Sequence, residues 1–350
     1  MLYLKALVPK VLGNMLFILA FAAAAPPPSP TSFCSSPGWE IVFDDEFTGP
    51  TLNLSAWTVD LGANNSRVRN SQGTLDNVYL ENGALVLRSQ REKSGDYSYT
   101  SGAVYSQGKV AWTHPVGTRA CVRAKLPGGE GGTKPANWCA TTPCDKCRTG
   151  CPTSGNRTCG PNQERCAKGT CNMCACNRDN TTCPDDHSGS RPDSQGVWPA
   201  HWMMPESKAC WPSMGEIDIM EMVNGDGVTH ATYHWNAEGC NDLCANKSTG
   251  CHQSIAADHP DPVDASEWHE YGVEYGKDHI HYAFDGVVFQ EVETKTSRVK
   301  KEKAVFFDTP YYMILNTAVG GPWPGEPTAK TKFPLYHHID YVKIAQPSDA

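Results

Sequence analysis

Short runs in which apolar residues recur at every second position dominate the 350-residue chain, and no window carries a sustained helical period. The clearest run spans His279–Val292, where Ile280, Tyr282 and Phe284 precede Asp285-Gly286. An Asp-Gly pair between two such runs predicts a β-hairpin with a tight turn. Further runs rich in aromatic and β-branched residues follow one another with turn signals between them. Many short strands without intervening helices predict a single all-β domain, a sandwich or a barrel.

The first 25 residues have the three regions of a secretory signal peptide. Lys5 and Lys10 precede the apolar stretch Met15–Phe21, and four alanines follow at 22–25. The alternative is a membrane anchor, but the stretch from Val11 to Ala25 has only fifteen residues and contains Gly13 and Asn14, whereas a spanning helix needs roughly 20 apolar residues. We therefore expect a secreted, extracellular protein that does not stay on the membrane after cleavage, with a Pro- and Ser-rich linker at 26–37.

Secretion bears on the unusual cysteine content of the chain. Ten of its sixteen cysteines lie between Cys139 and Cys183, inside a segment at 128–195 that is too poor in apolar residues to bury a core. Two CxxC pairs in this cysteine-rich insertion allow a zinc ribbon, but an even number of cysteines in a secreted chain favours disulfides. The pairing stays open. Five sequons are expected to be exposed acceptors for glycans, at Asn53, Asn64, Asn156, Asn180 and Asn246.

One predicted strand carries three acids, Glu216, Asp218 and Glu221. Strict alternation would send Glu221 to the opposite face from the other two. One extra residue, most simply Met220, would form a β-bulge and return Glu221 to their face. Carboxylates so close together cannot all ionise at ordinary pKa values, so one would keep its proton near neutrality, as glycosidic cleavage requires. A solvated strand face is the alternative, and the tryptophans near this strand favour a sugar-binding cleft.

At this point the sequence resembles glycoside hydrolase family 16, specifically its laminarinase-like β-1,3-glucanases. The resemblance covers most of residues 38–346 apart from the insertion. The matching motifs, in chain order, are Trp39–Phe47, Asn77–Tyr79, Asn82–Leu85, Tyr99–Gly102, Arg119–Pro127, Trp198–Pro205, Trp211-Pro212 before Glu216, His230–Trp235, Ile314–Asn316 and Gly320–Gly325. The family implies a concanavalin A-like jelly-roll sandwich of two curved antiparallel sheets, with the catalytic domain at 38–346 and a glucan-binding concave face.

Carried over by motif, the resemblance makes Glu216 the nucleophile, Glu221 the general acid/base and Asp218 the acid that supports the nucleophile. The reaction would be a retaining double displacement, with the two glutamate carboxyl groups about 5–5.5 Å apart. Eight further positions match substrate contacts of the family, and for His234 a packed core histidine is the alternative. They are Asn77, Arg119, Trp198, Trp202, Trp211, His234, Asn316 and Trp323.

The resemblance also suggests one structural calcium ion on the convex side, held by backbone carbonyls and an aspartate, with Glu46, Gly83 and Asp340 at the matching motifs, and no required cofactor. Cys121 stands where relatives usually carry Glu, which suggests a disulfide or a free thiol there.

The expected partner is a β-glucan polysaccharide bound by a monomer. The net charge of −8 argues against nucleic acid as a partner. Two alternatives remain. One is a family member acting as a glycosidase or transglycosylase on another β-glucan or a galactan. The other is a β-glucan recognition protein without catalysis, which the presence of both glutamates disfavours.

Overall fold

A computed structural model describes residues 32–113, 117–128, 193–207, 210–212, 215–236, 252–260, 263–276, 279–294 and 309–348. The predicted signal peptide, the first half of the linker, nearly all of the cysteine-rich insertion and three of the five sequons lie outside these residues. Within the described residues, no helix is long and apolar enough to cross a membrane.

The described residues form seventeen strands and two single-turn 3₁₀ helices, at Phe33–Ser35 and Leu75–Asn77. The strands are β1 (Trp39–Asp45), β2 (Thr58–Val59), β3 (Gln72–Gly73), β4 (Val78–Glu81), β5 (Ala84–Gln90), β6 (Thr100–Ser101), β7 (Ala103–Tyr105), β8 (Thr118–Lys125), β9 (Val197–Pro205), β10 (Glu216–Glu221), β11 (His230–Asn236), β12 (His252–Asp258), β13 (His269–Tyr275), β14 (His279–Phe284), β15 (Val287–Glu293), β16 (Tyr311–Val319) and β17 (Leu335–Pro347).

These strands form two sheets, as the all-β prediction requires. A ten-stranded sheet has the order β15-β14-β13-β8-β17-β5-β6-β3, with β1 beside β17 and β4 beside β5. A seven-stranded sheet has the order β12-β11-β10-β9-β16-β7-β2. All strand pairs are antiparallel except the short β3–β6 pair, which is parallel. The sandwich prediction is confirmed.

The core lies between the two sheets and is rich in aromatic side chains. Tyr233 of β11, Tyr271 of β13 and Tyr282 of β14 are fully buried there. The Tyr282 hydroxyl donates to the carbonyl of Thr232 at 2.7 Å, which joins the sheets. Burying a large apolar side chain contributes roughly 1.5–3 kcal/mol. Because strands alternate, each residue turned into this core leaves its neighbours on the outer face of its sheet.

The hairpin predicted at Asp285-Gly286 is present between β14 and β15. Both turn residues have positive φ, 46° at Asp285 and 80° at Gly286, as a type I′ turn requires. A disulfide joins Cys34 to Cys121 on β8, across 87 residues of chain, so Cys121 is not a free thiol. Cross-linking a loop of that length stabilises the fold by roughly 4–5 kcal/mol in the chain-entropy account. Cys210 is also disulfide-bonded.

Candidate active site

The three acids of β10 lie on one face of the strand because of a β-bulge. Asp218 pairs with Trp202 of β9 and Glu221 pairs with Ala200, so Ile219 and Met220 both stand opposite the single residue His201. Ile219 and Met220 are both buried in the core. The extra residue reverses the alternation, and Glu221 returns to the face of Glu216 and Asp218. The predicted bulge is confirmed; it comprises Ile219 and Met220, and Met220 is the one that pairs with His201.

Gly215 allows the chain to enter this strand. Its φ is +87°, in the left-handed region that favours glycine. A Cβ at this position would also stand 2.5 Å from the hydroxyl oxygen of Tyr311. The position before Glu216 therefore requires glycine for two reasons: its backbone conformation and the lack of space for a side chain.

The acids lie in a cavity of about 770 Å³ on the outer face of the seven-stranded sheet. Alternate residues of five neighbouring strands form its floor, because their sequence neighbours turn into the core. The lining residues are Trp198, Ala200, Trp202 and Met204 of β9, the three acids of β10, His230, Thr232 and His234 of β11, Ser254 and Ala256 of β12, Asn316 and Ala318 of β16, and Ser66, Arg69, Trp211 and Trp323 of the loops.

Glu216 and Asp218 share a compact polar cluster with His234. Carboxylate oxygens of the two acids and a ring nitrogen of His234 lie within 4.8 Å of one another. His234 Nε2 lies 3.1 Å from Asp218 Oδ2, and its Nδ1 lies 2.8 Å from Nε2 of His252. Trp211 packs over both histidine rings at centroid distances of 5.6 and 4.7 Å. His234 therefore contacts the acids in the cavity, and the alternative of a packed core histidine is wrong.

Glu221 has a different set of neighbours. The indole N–H of Trp198 donates to Glu221 Oε1 at 3.0 Å. His230 is the cross-strand neighbour of Glu221 on β11, and its Nδ1 lies 2.6 Å from Asp258 Oδ1. Burial alone would lower the pKa of His230, but hydrogen bonds and charge from Asp226 and Asp258 raise that pKa to about 10. A cationic imidazole thus stands beside Glu221.

All three acids have a pKa above the ordinary value, first because burial penalises the charged form. At Glu216 the charge of Asp218 adds to burial, and the pKa rises well above the usual range. At Asp218 the charge of Glu221 adds in the same way. At Glu221 burial raises the pKa, while His230, His234 and the Trp198 hydrogen bond lower it. The cluster therefore keeps protons at higher pH than isolated carboxyl groups would.

The close spacing of the three acids should lower the free energy of unfolding, and Asp218→Asn tests this effect. A group whose pKa is higher in the folded than in the unfolded state adds stability below its unfolded pKa, and that contribution is lost as pH rises through the folded pKa. We expect Asp218→Asn to raise the free energy of unfolding by on the order of 1 kcal/mol at pH 7, with little change at pH 3. Urea unfolding at both pH values measures this.

Asp285→Asn is the matched control with the opposite sign. Burial alone would raise the pKa of Asp285, but hydrogen bonds from His269 and from the Glu270 backbone lower that pKa below its usual value. Such a group contributes stability above its unfolded pKa, so Asp285→Asn should destabilise at pH 7. Equal destabilisation by both substitutions at pH 7 would contradict the electrostatic account of the three acids.

The predicted aromatic contacts lie around the acids. Trp202 is buried in the cavity floor, where its N–H donates to Asn316 Oδ1 at 2.6 Å. Trp211 and Trp323 are 46% and 40% exposed, so each offers an open ring face to a ligand. Trp323 packs edge-on against Trp198 with centroids 5.1 Å apart. The structure thus brings together six of the eight predicted substrate contacts: Trp198, Trp202, Trp211, His234, Asn316 and Trp323.

The other two predicted contacts, Asn77 and Arg119, do not line the cavity, and both predictions are wrong. Asn77 is fully buried before β4 of the ten-stranded sheet, where its Oδ1 accepts from Arg88 Nε at 3.0 Å. Arg119 lies on β8 of the same sheet, donates to Glu274 Oε2 at 2.8 Å, and stacks on Phe33. Both belong to the sheet that does not carry the three acids.

Two of the residues named for calcium have side-chain partners in the structure. Asp340 accepts a hydrogen bond from Arg123, and Lys343 Nζ donates to Glu46 Oε1 at 3.0 Å. The Asp340 and Glu46 carboxylates therefore each contact a cationic side chain. Gly83 lies in the turn between β4 and β5 with φ +75°. The resemblance places the ion on backbone carbonyls and Asp340, so these side-chain contacts leave the calcium site a prediction.

Sequence reasoning missed three charged or aromatic groups near the acids: Arg69 and His230, which line the cavity, and His252, which contacts His234. His230 could have been found, because it shares the face of His234 on the same strand and lies four residues before it. His252 contacts His234 only through the pairing of β11 with β12. Arg69 reaches the cavity from a loop with φ +52° and stacks on Trp198 at 4.8 Å, and no strand pattern predicts that.

Comparison with known proteins agrees with this geometry. Residues 188–343, which include β9–β16 and most of the cavity, match the sequence profile of glycosyl hydrolases family 16. Over this segment, a little under half of the chain, the protein matches the family. Hydrolases of family 16 generally need no cofactor.

Individual relatives extend the match along the chain. The β-glucanase of Rhodothermus marinus is 25% identical over 88% of this chain and 86% of the relative. The glucan endo-1,3-β-glucosidase A1 of Niallia circulans is 24% identical over 88% of this chain but only 38% of its own length. The endo-β-1,3-glucanase of Pyrococcus furiosus has a similar crystal structure, with 26% identity, a TM-score of 0.59 and coverage of 88% of this chain and 94% of the relative.

Proposed function

We propose that this protein cleaves β-1,3-glucan internally by a retaining double displacement. The observation that carries the proposal is the bulge at Ile219 and Met220, which aligns Glu216, Asp218 and Glu221 in a tryptophan-lined cavity. Paired carboxyl groups perform glycosidic cleavage, and indole faces stack on sugar rings. The substrate class is supported by the relatives described above as acting on β-glucan or on 1,3-β-glucan.

In the first step, Glu216 attacks the anomeric carbon and its carboxylate forms the glycosyl ester, while the bond to the leaving sugar breaks. Glu221 gives its proton to the leaving oxygen. In the second step, Glu221 takes a proton from water, the water oxygen attacks the anomeric carbon, and the ester bond to Glu216 breaks. Two inversions give overall retention. We expect the carboxyl groups of the two glutamates to lie about 5–5.5 Å apart in the substrate complex.

The neighbours of the two glutamates support these roles. Asp218 and His234 contact the Glu216 side of the cluster, where they can exchange a proton with it and hold its orientation. The Trp198 N–H and the cationic His230 favour the carboxylate that Glu221 becomes after giving up its proton. Each glutamate thus has its own set of supporting groups.

The proposal also includes the setting in which the enzyme works. We propose a secreted monomer that acts outside the cell and is not attached to a membrane. The basic, apolar and small-residue regions of residues 1–25 and the Cys34–Cys121 disulfide support an extracellular protein. The structural calcium ion remains a prediction, and no catalytic step uses it.

Product analysis tests the proposed activity. Laminarin should yield a ladder of oligosaccharides at early time, with new reducing ends that are initially β-anomers by proton NMR. Parallel reactions on lichenan, mixed-linkage glucan and agarose would show whether another family 16 substrate is preferred, and longer products would indicate transglycosylation. Binding of laminarin without new reducing ends would reject hydrolysis in favour of recognition.

A further inference from the structure

A cluster of metal-binding side chains lies on the outer face of the ten-stranded sheet, away from the acids of β10. It consists of Glu274 on β13 with His279 and His281 on β14. One potential ligand atom from each residue lies within 4.8 Å of the other two. Nε2 of His279 is 3.1 Å from Glu274 Oε1, and the two imidazole ring centroids are 4.5 Å apart.

Strand register places these three side chains together. His279 and His281 are two residues apart on β14, so they share its outer face, while Ile280 between them is buried in the core. Glu274 is the direct cross-strand neighbour of His281. The backbone of an antiparallel pair therefore fixes the cluster, and no loop conformation has to be selected to form it.

We propose that Glu274, His279 and His281 bind a zinc ion. Two imidazoles and one carboxylate are ligands that Zn²⁺ takes, with water in the fourth position. In a tetrahedral zinc site, neighbouring ligand atoms are about 3.3–3.5 Å apart. Since the three atoms already lie within 4.8 Å of one another, small side-chain rotations bring them to that spacing.

Arg119 orients the carboxylate of this cluster. Its Nε donates to Glu274 Oε2 at 2.8 Å, which leaves Oε1 directed towards His279. A hydrogen bond to the second oxygen of a ligating carboxylate is typical of metal sites. The charge of Arg119 opposes a cation, but Glu291, the cross-strand neighbour of His281 on β15, adds a negative charge on the other side.

The two nitrogen ligands set this site apart from a calcium site. Calcium takes oxygen ligands, so neither Ca²⁺ nor Mg²⁺ should compete with zinc here. The cluster shares no residue with the calcium prediction at Glu46, Gly83 and Asp340, or with the acids of β10. Zinc binding at this cluster does not depend on the proposed glucanase activity.

Zinc binding to the full-length chain without an affinity tag tests the proposal. The chelator-treated protein would be titrated with ZnCl₂ by calorimetry, with the metal content after dialysis measured by mass spectrometry. We expect His281→Gln to bind one zinc ion fewer per chain, or to bind this ion at least about tenfold more weakly. We also expect the zinc-dependent rise in melting temperature to shrink in this variant. Glu274→Gln provides the same measurement if His281→Gln does not fold.

His338→Gln is the matched control, because it removes another histidine of the same sheet beside Lys125, at the far end of β8 from Arg119. It should keep the wild-type zinc content and thermal shift. Comparing variants also separates this ion from any zinc held by the sixteen cysteines. The same zinc content and affinity in wild type, His281→Gln and Glu274→Gln would overturn the proposal.

Discussion

Replacing Glu216 with Gln should lower kcat/KM on laminarin by on the order of 10⁴-fold or more, because the amide cannot form the glycosyl ester. The side chain keeps its size and its place among Asp218, His234 and Trp211. Binding of laminarin oligosaccharides should therefore change by less than about tenfold. Initial-rate kinetics and calorimetric titration with a laminarin oligosaccharide measure the two quantities separately.

The stability of this variant provides a further check. Burial and the charge of Asp218 hold the pKa of Glu216 well above its usual range, so the ionised carboxylate costs the folded state stability as pH rises. Glu216→Gln should thus melt at a higher temperature than wild type at pH 7. Glu81→Gln, which changes an exposed acid on β4, should leave both activity and melting temperature unchanged. An active Glu216→Gln variant would reject Glu216 as the nucleophile.

The acid cluster could be predicted from the sequence, because both the proposed chemistry and the alternation of side chains along a strand require a bulge between Asp218 and Glu221. Three acids spaced as Glu216, Asp218 and Glu221 can share a face only if one residue bulges, and Met220 is apolar enough to turn into the core. The alternation of β9 predicts Trp198 and Trp202 on one face in the same way, and their indoles do line the cavity.

The failed predictions have a common physical cause. A motif match gives the order of residues along the chain, but it does not state which sheet or which face a strand occupies. Arg119 matched a family position, yet β8 pairs with β13 and β17 in the sheet opposite the acids. Such pairings join residues that are far apart in sequence.

Arg69 shows a second limit. It lies on a loop in which a non-glycine residue adopts positive φ, and such a conformation is held by the surrounding structure. Its guanidinium stacks on Trp198, which itself hydrogen-bonds to Glu221. Hydrophobic periodicity carries no information about loop conformations of this kind. The charge that reaches Glu221 from Arg69 could therefore be found only from the structure.

Replacing Glu221 with Gln should lower kcat/KM on laminarin by roughly 10²- to 10⁴-fold, because the leaving oxygen no longer receives a proton. An aryl β-laminaribioside with an acidic phenol should behave differently, because the phenolate leaves without being protonated. For this substrate the rate of glycosyl-ester formation should fall much less. Hydrolysis of that ester should then limit turnover, since water has lost its base. A burst of phenol followed by slow release, measured by stopped-flow absorbance, would separate the two steps.

Added azide should restore turnover of the aryl substrate by Glu221→Gln, because azide attacks the glycosyl ester of Glu216 without needing a base. The product should be the β-glycosyl azide, which retains the configuration of the substrate, and NMR identifies its anomer. The α-azide would instead indicate a single displacement and reject the double displacement on Glu216. The pH profile gives an independent result. Burial raises the pKa of Glu221, so the wild-type rate should fall as pH rises through that value, and Glu221→Gln should lose this alkaline limb.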